Sequence, residues 1–278
     1  MEQTEKVVVT GSFDDLMSRQ TRFLEEASRL GGVHVLLWSD DLARSLEGKT
    51  PKFAQEERAY LLQAIRYVRH VTLARGQSEK ELLPQVDEIE PDVWVVDEMS
   101  DQPWMRAHCI SRGIPYRLLK DSDLGGFPVA GPIAPEGAGR SPRKKVVVTG
   151  CFDWLHSGHA RFFEETSELG DLYVIVGHDE NVSLLKGKGH PMFPQDERRY
   201  MVQSIRYVTQ ALISTGHGWM DAAPEIDEIK PDIYAVNEDG DKPEKIEFCR
   251  EHGLEYVVLK RTPKEGLPKR ESTTLRGF

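Results

Sequence analysis

Cysteine is scarce in this chain, cations are outnumbered, and no apolar stretch is long enough to span a bilayer. Three cysteines, Cys109, Cys151 and Cys249, are spread over 278 residues. An odd, sparse count without metal-type spacing excludes a disulfide framework and a cysteine-based zinc site. No basic-then-apolar segment opens the chain, and no apolar run approaches the roughly 18 residues of a membrane helix, so neither a signal peptide nor a span is expected. A reducing cytoplasm is the expected setting. Lysine and arginine total 36 against 46 aspartate and glutamate, a net charge of −10. That balance argues against general binding to nucleic acid or anionic membrane, which need a basic footprint. It leaves room for a local anion site, and one stretch stands out: Lys260 to Arg276 holds six basic residues and two acidic ones. Hydrophobic residues make up 39%, enough for globular cores.

What is present is a duplication. Lys6-Val-Val-Val-Thr-Gly11 recurs as Lys145-Val-Val-Val-Thr-Gly150. Phe13-Asp14 matches Phe152-Asp153, Glu57-Arg58 matches Glu197-Arg198, and Ile65-Arg-Tyr-Val68 matches Ile205-Arg-Tyr-Val208. Asp87-Glu-Ile89 and Pro91-Asp92 match Asp227-Glu-Ile229 and Pro231-Asp232. The offset moves from 139 to 140 near His190, one inserted residue. So many ordered matches mean two copies of one fold. The expected organisation is a domain over 1–120, a linker over 121–144 and a second domain over 145–278. Glycine and proline at the linker's density argue against a regular element there.

Each copy alternates strand and helix signals. In the second, Val146-Val-Val148 is a short apolar run ending at Gly150, the mark of a buried parallel strand. The spacing predicts a helix over 160–169, strands over 172–176, 211–213, 233–236 and 256–259, and helices over 194–208 and 244–252. This pattern predicts an α/β protein: two tandem Rossmann-like domains, each a parallel sheet flanked by helices. Ligands of such sheets sit beyond the carboxyl ends of the strands. Gly150, Gly177-His178 and Asn237-Glu238-Asp239 all fall at strand ends.

Gly150-Cys-Phe-Asp-Trp-Leu-His-Ser-Gly-His159 joins the first strand of the second copy to its first helix. His156 and His159 flank Gly158 where free backbone N–H groups and the helix dipole favour an anion. Two imidazoles there can donate to phosphate oxygens and stabilise charge growing on an attacked phosphate. Gly158 admits a close backbone approach. Cys151 reads as a small packed residue, since this chemistry needs no protein nucleophile.

The segment resembles the cytidylyltransferase family, within the nucleotidyltransferases that carry an HxGH signature. Gly150-Cys-Phe-Asp153 is similar to the family's GxFD motif and His156-Ser-Gly-His159 to HxGH. Arg261-Thr262, followed after an insertion by Glu271-Ser272-Thr273-Thr274, resembles its RTEGISTT signature. Glu197-Arg198 and Ile205-Arg-Tyr-Val208 resemble its ER…IRYV helix, and the two-copy layout resembles its tandem-domain members, such as the glycerol-3-phosphate and ethanolamine-phosphate enzymes. The resemblance implies attack by an alcohol phosphate on the α-phosphorus of a nucleoside triphosphate, with release of pyrophosphate. CTP and a small polyol or amino-alcohol phosphate are the expected substrates, with ATP as the alternative. His156, His159, Lys186 and Arg261 are the implied catalytic residues. Gly150, Cys151, Phe152, Asp153, Gly158, Lys188, Arg198, Asn237, Glu238, Asp239, Ser272, Thr273 and Thr274 are implied to bind the nucleotide. Magnesium is expected on the phosphates, with Asp153 the side chain placed nearest it. Plainer readings stand beside these. Lys186 and Lys188 also fit a solvated turn, Ser272 to Thr274 a helix cap, and Arg206 a surface ion pair.

In the first copy Met17 stands for His156, Arg19 for Gly158, Gln20 for His159, Glu47 for Lys186 and Asp121 for Arg261. The expectation is an inert copy that supplies a pseudo-dimer surface, with the Ile-Arg-Tyr-Val helix as the candidate contact; a homodimer is the other form of such pairing. A reading of a different class, a nucleotide sensor or scaffold without turnover, fits the intact second tetrad less well.

Overall fold

A computed structural model describes residues 5–129, 131–132 and 142–275. The chain divides into two compact units, residues 1–126 and 127–278. The first unit runs β1 (Lys6–Gly11), α1 (Ser18–Ser28), β2 (Gly32–Trp38), α2 (Asp40–Glu47), α3 (Gln55–Ala64), β3 (Val68–Ala74), α4 (Glu79–Ile89), β4 (Val93–Asp97), α5 (Pro103–Arg112) and β5 (Tyr116–Leu119). The second repeats it: β6 (Lys145–Gly150), α6 (Ser157–Leu169), β7 (Asp171–Val176), α7 (Asp179–Lys186), α8 (Gln195–Gln203), β8 (Val208–Ile213), α9 (Ala223–Ile229), β9 (Ile233–Asn237), α10 (Pro243–His252), β10 (Glu255–Leu259) and a closing turn, α11 (Ser272–Leu275).

Both sheets are parallel and five-stranded. Their orders, β3-β2-β1-β4-β5 and β8-β7-β6-β9-β10, are the same topology. The chain reverses direction across the sheet between β1 and β4, and between β6 and β9. That switch point opens a crevice at the carboxyl edge of each sheet. The central strands carry the cores: Val7, Val8 and Val9 in one unit and Val146, Val147 and Val148 in the other are fully buried, each contributing about 2 kcal/mol of apolar transfer.

The structure departs from the sequence expectations in three places. The Ile-Arg-Tyr-Val segments are not helical. α8 stops at Gln203, Ile205 makes an isolated bridge, Arg206-Tyr207 turns, and Val208 begins β8. Ser204 Oγ turns back to the Met201 carbonyl, and Ile205 and Val208 are buried, so two β-branched residues serve the core rather than a helix face. Second, the 121–144 segment contains a regular turn: Asp121–Leu124 is a 3-10 turn capped by the Asp123 carboxylate on the Lys120 N–H. Beyond it, Phe127 stacks on Tyr200 with centroids 5.3 Å apart, and Gln210 Nε2 donates to the Gly131 carbonyl at 2.7 Å. Third, α7 and α9 form in stretches for which the sequence pattern predicts no element.

Gly170 is required for a close approach. A Cβ there would lie 2.1 Å from the Lys144 carbonyl oxygen, inside contact distance of backbone that enters β6. Gly170→Ala is therefore expected to destabilise the second unit by about 2 kcal/mol or more. Urea unfolding followed by circular dichroism checks this; an unchanged midpoint would show that the β6 entry yields freely.

Candidate active site

The site is built on β6, β9 and the start of α6. Gly150 ends β6, and a Cβ on it would strike the Phe152 ring at 2.8 Å. Glycine lets that ring fold back, with Phe152 itself at φ +49. The ring packs edge-on against His159 (centroids 5.3 Å) and tilted against Phe163 (5.2 Å). This fixes the floor under the histidine pair.

α6 begins at Ser157, three residues before the predicted start, so both histidines belong to its N-terminal turn. His156 is the N-cap residue, and its Nδ1 accepts from the Gly158 N–H at 3.1 Å. An accepting Nδ1 carries no proton, so the neutral ring must hold its proton on Nε2. That Nε2 is buried and has no hydrogen-bond partner among the described residues; the same holds for His159 Nδ1. The rings stack at 3.9 Å with an interplanar angle of 21°. Burial, then the cations of Arg261 and Arg270, lower the His156 pKa to about 3. Burial also drives His159 well below its ordinary value, helped by His156, Arg261 and Lys186. The site therefore presents neutral imidazoles.

The sign of the resulting pH dependence is set. The unfolded imidazole takes a proton near pH 6.5, while native His156 refuses it until about pH 3. Stability from this group is complete above pH 6.5 and falls as the pH drops toward 3, by up to about 1.4 kcal/mol per pH unit. Urea midpoints between pH 7.5 and 4.5 should fall more steeply in the wild type than in His156→Gln. Equal slopes would mean that His156 titrates normally.

The carboxyl-terminal segment closes the crevice. After β10, the Arg261 guanidinium donates to Asp239 Oδ2 at 2.6 Å and to the Arg270 carbonyl at 3.0 Å. Its N–H reaches Glu238 Oε1 at 3.3 Å. These bonds fold the inserted stretch back over α6, where Lys264 pairs with Glu164 at 2.8 Å. The Arg270 carbonyl comes within 3.5 Å of where a Gly158 Cβ would sit, so glycine gives room to the strap as well as to the His156 ring.

The cavity beneath is about 200 Å³. The predicted residues Gly150, Cys151, Phe152, Asp153, Gly158 and His159 border it, joined by Lys186, Asn237, Asp239, Arg261 and Ser272. His156 lies behind, stacked on His159. Lys186 is the last residue of α7 rather than a loop residue. Lys188 is exposed and does not border the cavity, and Glu238 reaches it only through Arg261. The side chains of Thr273 and Thr274 lie outside the described residues.

Two predicted ligands of the nucleotide also hold the scaffold, and of the two only Asp153 borders the cavity. Arg198 is 1% exposed, and its guanidinium donates to the carbonyls of Phe193, Cys151 and Gly177 and to Asp179 Oδ1. No donor faces the cavity, because the fork is used to tie three loops together. Asp153, the expected magnesium neighbour, accepts from the Met192 and Phe193 N–H groups at 2.7 and 3.0 Å. It staples the loop after α7. The first unit repeats both devices: Asp14 accepts from Lys52 and Phe53, and Arg58 donates to Phe53, Ser12 and Asp40. Among the described residues no three histidine, cysteine, aspartate or glutamate side chains are grouped to hold a metal ion.

Sequence reading missed Lys245 and Arg270. Lys245 borders the cavity from α10, 5.8 Å above the Tyr234 ring, and burial lowers its pKa. The signal was available: its counterpart in the first copy is the buried Met105. Arg270 has no such counterpart.

Known proteins align with this arrangement. Residues 147–274 match the family model described as cytidylyltransferase-like. The FAD synthase of Ferroglobus placidus is 38% identical over 125 residues, 44% of this chain and 78% of the relative. Those of Thermococcus kodakarensis and Pyrococcus abyssi are 40% and 42% identical over 124 and 121 residues; each match spans 42% of this chain and 80% of the relative. The chain belongs to the cytidylyltransferase-like family, and its second unit is a nucleotidyltransferase domain. No helix among the described residues is long and apolar enough to cross a membrane.

Proposed function

We propose that the second unit transfers AMP from ATP to the phosphate of FMN, forming FAD and pyrophosphate. One structural observation supports phosphoryl chemistry most directly. A buried His156 Nε2–H without a partner among the described residues sits at a helix N-terminus beside Arg261 and Arg270, with Lys186 beside the stacked His159. An orphaned buried donor costs stability until an acceptor arrives, and a phosphate oxygen is the acceptor these cations select. The choice of ATP over the CTP expected from the motifs rests on the relatives, which carry the name FAD synthase at 38–42% identity.

The chemistry suits neutral imidazoles. The attacking oxygen of FMN already belongs to a phosphate anion, so no protein base is needed. A bond forms from that oxygen to the α-phosphorus, and the bond to the pyrophosphate oxygen breaks. His156 and His159 donate to oxygens on which charge grows, while Lys186 and Arg261 hold the phosphates in line. Magnesium would ride on the triphosphate rather than on Asp153. EDTA is then expected to stop turnover while leaving the fold intact by circular dichroism.

The first unit would not turn over, since it lacks both histidines and both cations. The deciding assay follows pyrophosphate release with ATP or CTP against FMN, glycerol 3-phosphate and ethanolamine phosphate. ATP with FMN should be the active pair, with FAD identified by chromatography. Turnover confined to CTP and an alcohol phosphate would overturn the reading.

A further inference from the structure

The first unit keeps a cavity where the second unit has its site, and the cavity is larger: about 570 Å³ against about 200 Å³. That is well within the range of small-molecule sites, roughly 300–1,000 Å³. It lies at the switch point of the first sheet, bordered by Thr10, Gly11 and Ser12 at the end of β1 and by Asp97, Met99 and Ser100 at the end of β4.

Its chemistry is the reverse of its counterpart's. Glu47 replaces Lys186 and accepts from the Ser12 hydroxyl. Asp97 replaces Asn237. Arg19, standing where Gly158 stands, is neutralised by Asp97 at 3.2 Å and Asp121 at 2.6 Å. A triphosphate entering here would meet Asp14, Glu47 and Asp97 with the guanidinium already paired; the exposed Lys49 is the other cation on the border, and Met17 and Gln20 stand for the histidines. The excess of carboxylates over cations along the border disfavours that ligand.

Yet two polar groups of residues bordering this cavity have no partner among the described residues. Thr10 is 8% exposed, and its Oγ1 is buried without a hydrogen bond among the described residues. In the second unit the equivalent Thr149 Oγ1 bonds the Tyr234 hydroxyl at 2.7 Å; Trp94 takes that place here, and its own indole N–H is likewise without a partner among the described residues. The Trp38 indole N–H, which replaces the bare Gly177, is orphaned as well. Buried polar groups are normally satisfied, so two that border one cavity point to a missing ligand. Phe13, Phe23 and Trp38 offer flat apolar faces, Thr10 and Trp38 offer hydrogen bonds to ring heteroatoms, and Glu47 and Asp97 accept from hydroxyls.

We propose that the first unit binds an uncharged, hydroxylated heteroaromatic compound, a nucleoside or a flavin without its phosphate, and rejects the phosphorylated forms. The site is separate from the reaction assigned to the second unit and does not depend on that assignment.

Calorimetry on the full chain tests it with adenosine, cytidine and riboflavin against AMP, ATP and FMN. At least one uncharged compound should bind, and Thr10→Val should weaken that binding at least about 10-fold, while Thr10→Ser, which keeps the hydroxyl, preserves it. Glu47→Lys should weaken the uncharged ligand and add a second site for its phosphorylated form. Pyrophosphate release should stay at the wild-type rate in all three variants. Which of the three compounds responds separates nucleoside from flavin. Binding of every compound unchanged by Thr10→Val and Glu47→Lys, or tighter first-unit binding of a phosphorylated form in the wild type, would overturn the proposal. Should Thr10→Val fail to fold, Glu47→Lys, at an exposed position, decides alone.

Discussion

Alanine at both His156 and His159 is expected to lower pyrophosphate release by about 10⁴-fold or more, with a much smaller change in nucleotide affinity. In the proposed reaction each imidazole would donate to oxygens whose charge grows only as the α-phosphorus is attacked, and removal of one such donor typically costs about 10²–10³ in kcat. The two rings stack at 3.9 Å, so they act on one locus and the losses need not multiply fully. Saturating single-turnover rates, with the fold checked by circular dichroism, supply the test. A double variant that turns over at the wild-type rate would remove this site from the mechanism. The first unit cannot rescue the variant, because Met17 and Gln20 stand at the same positions of its sheet.

Arg261→Ala is expected to reduce kcat/KM for the nucleotide by about 10²–10³. The residue does two things at once: it supplies a cation at the cavity, and it ties Asp239 to the Arg270 carbonyl so that the closing strap lies over α6. Lysine should restore part of the charge but not the fork geometry. A second readout separates charge from mere unfolding. Arg261 is the first cation holding the His156 pKa down after burial, so that pKa should rise in Arg261→Ala when followed by NMR. An unaltered imidazole titration together with unaltered kinetics would place Arg261 outside the site.

Comparing the two units separates the motif residues that hold the scaffold from those that border the cavity. Asp153 and Arg198 sit in the recognisable motifs, yet their counterparts Asp14 and Arg58 make the same backbone contacts in a unit without the histidine pair. What both copies retain is scaffold: the aspartate that staples the loop after α7 or α2, the arginine that ties three loops, and Lys6 and Lys145, whose ammonium groups donate to the Ile89 and Ile229 carbonyls. What differs between copies borders the cavity: Gly158 against Arg19, Lys186 against Glu47, Lys245 against Met105.

The duplication, the alternating α/β order and the crevice at the strand ends are legible in the chain alone, because hydrophobic periodicity and parallel-sheet topology are local and general properties. The motifs also mark His156, His159, Lys186 and Arg261 as members of one set. Which neighbours these residues meet is set by the fold. The proton on His156 Nε2 follows from a contact with the Gly158 N–H. The low pKa values follow from burial and from Arg261 and Arg270, brought back across α6 by a strap whose course no spacing encodes. The end of α8 at Gln203 follows from the core's demand for Ile205 and Val208, which outweighs a helical pattern. The orphaned Thr10 hydroxyl follows from a tryptophan 84 positions away, filling the place that a tyrosine takes in the other unit. Each depends on groups distant in the chain meeting in space, and that is where the sequence stops being legible.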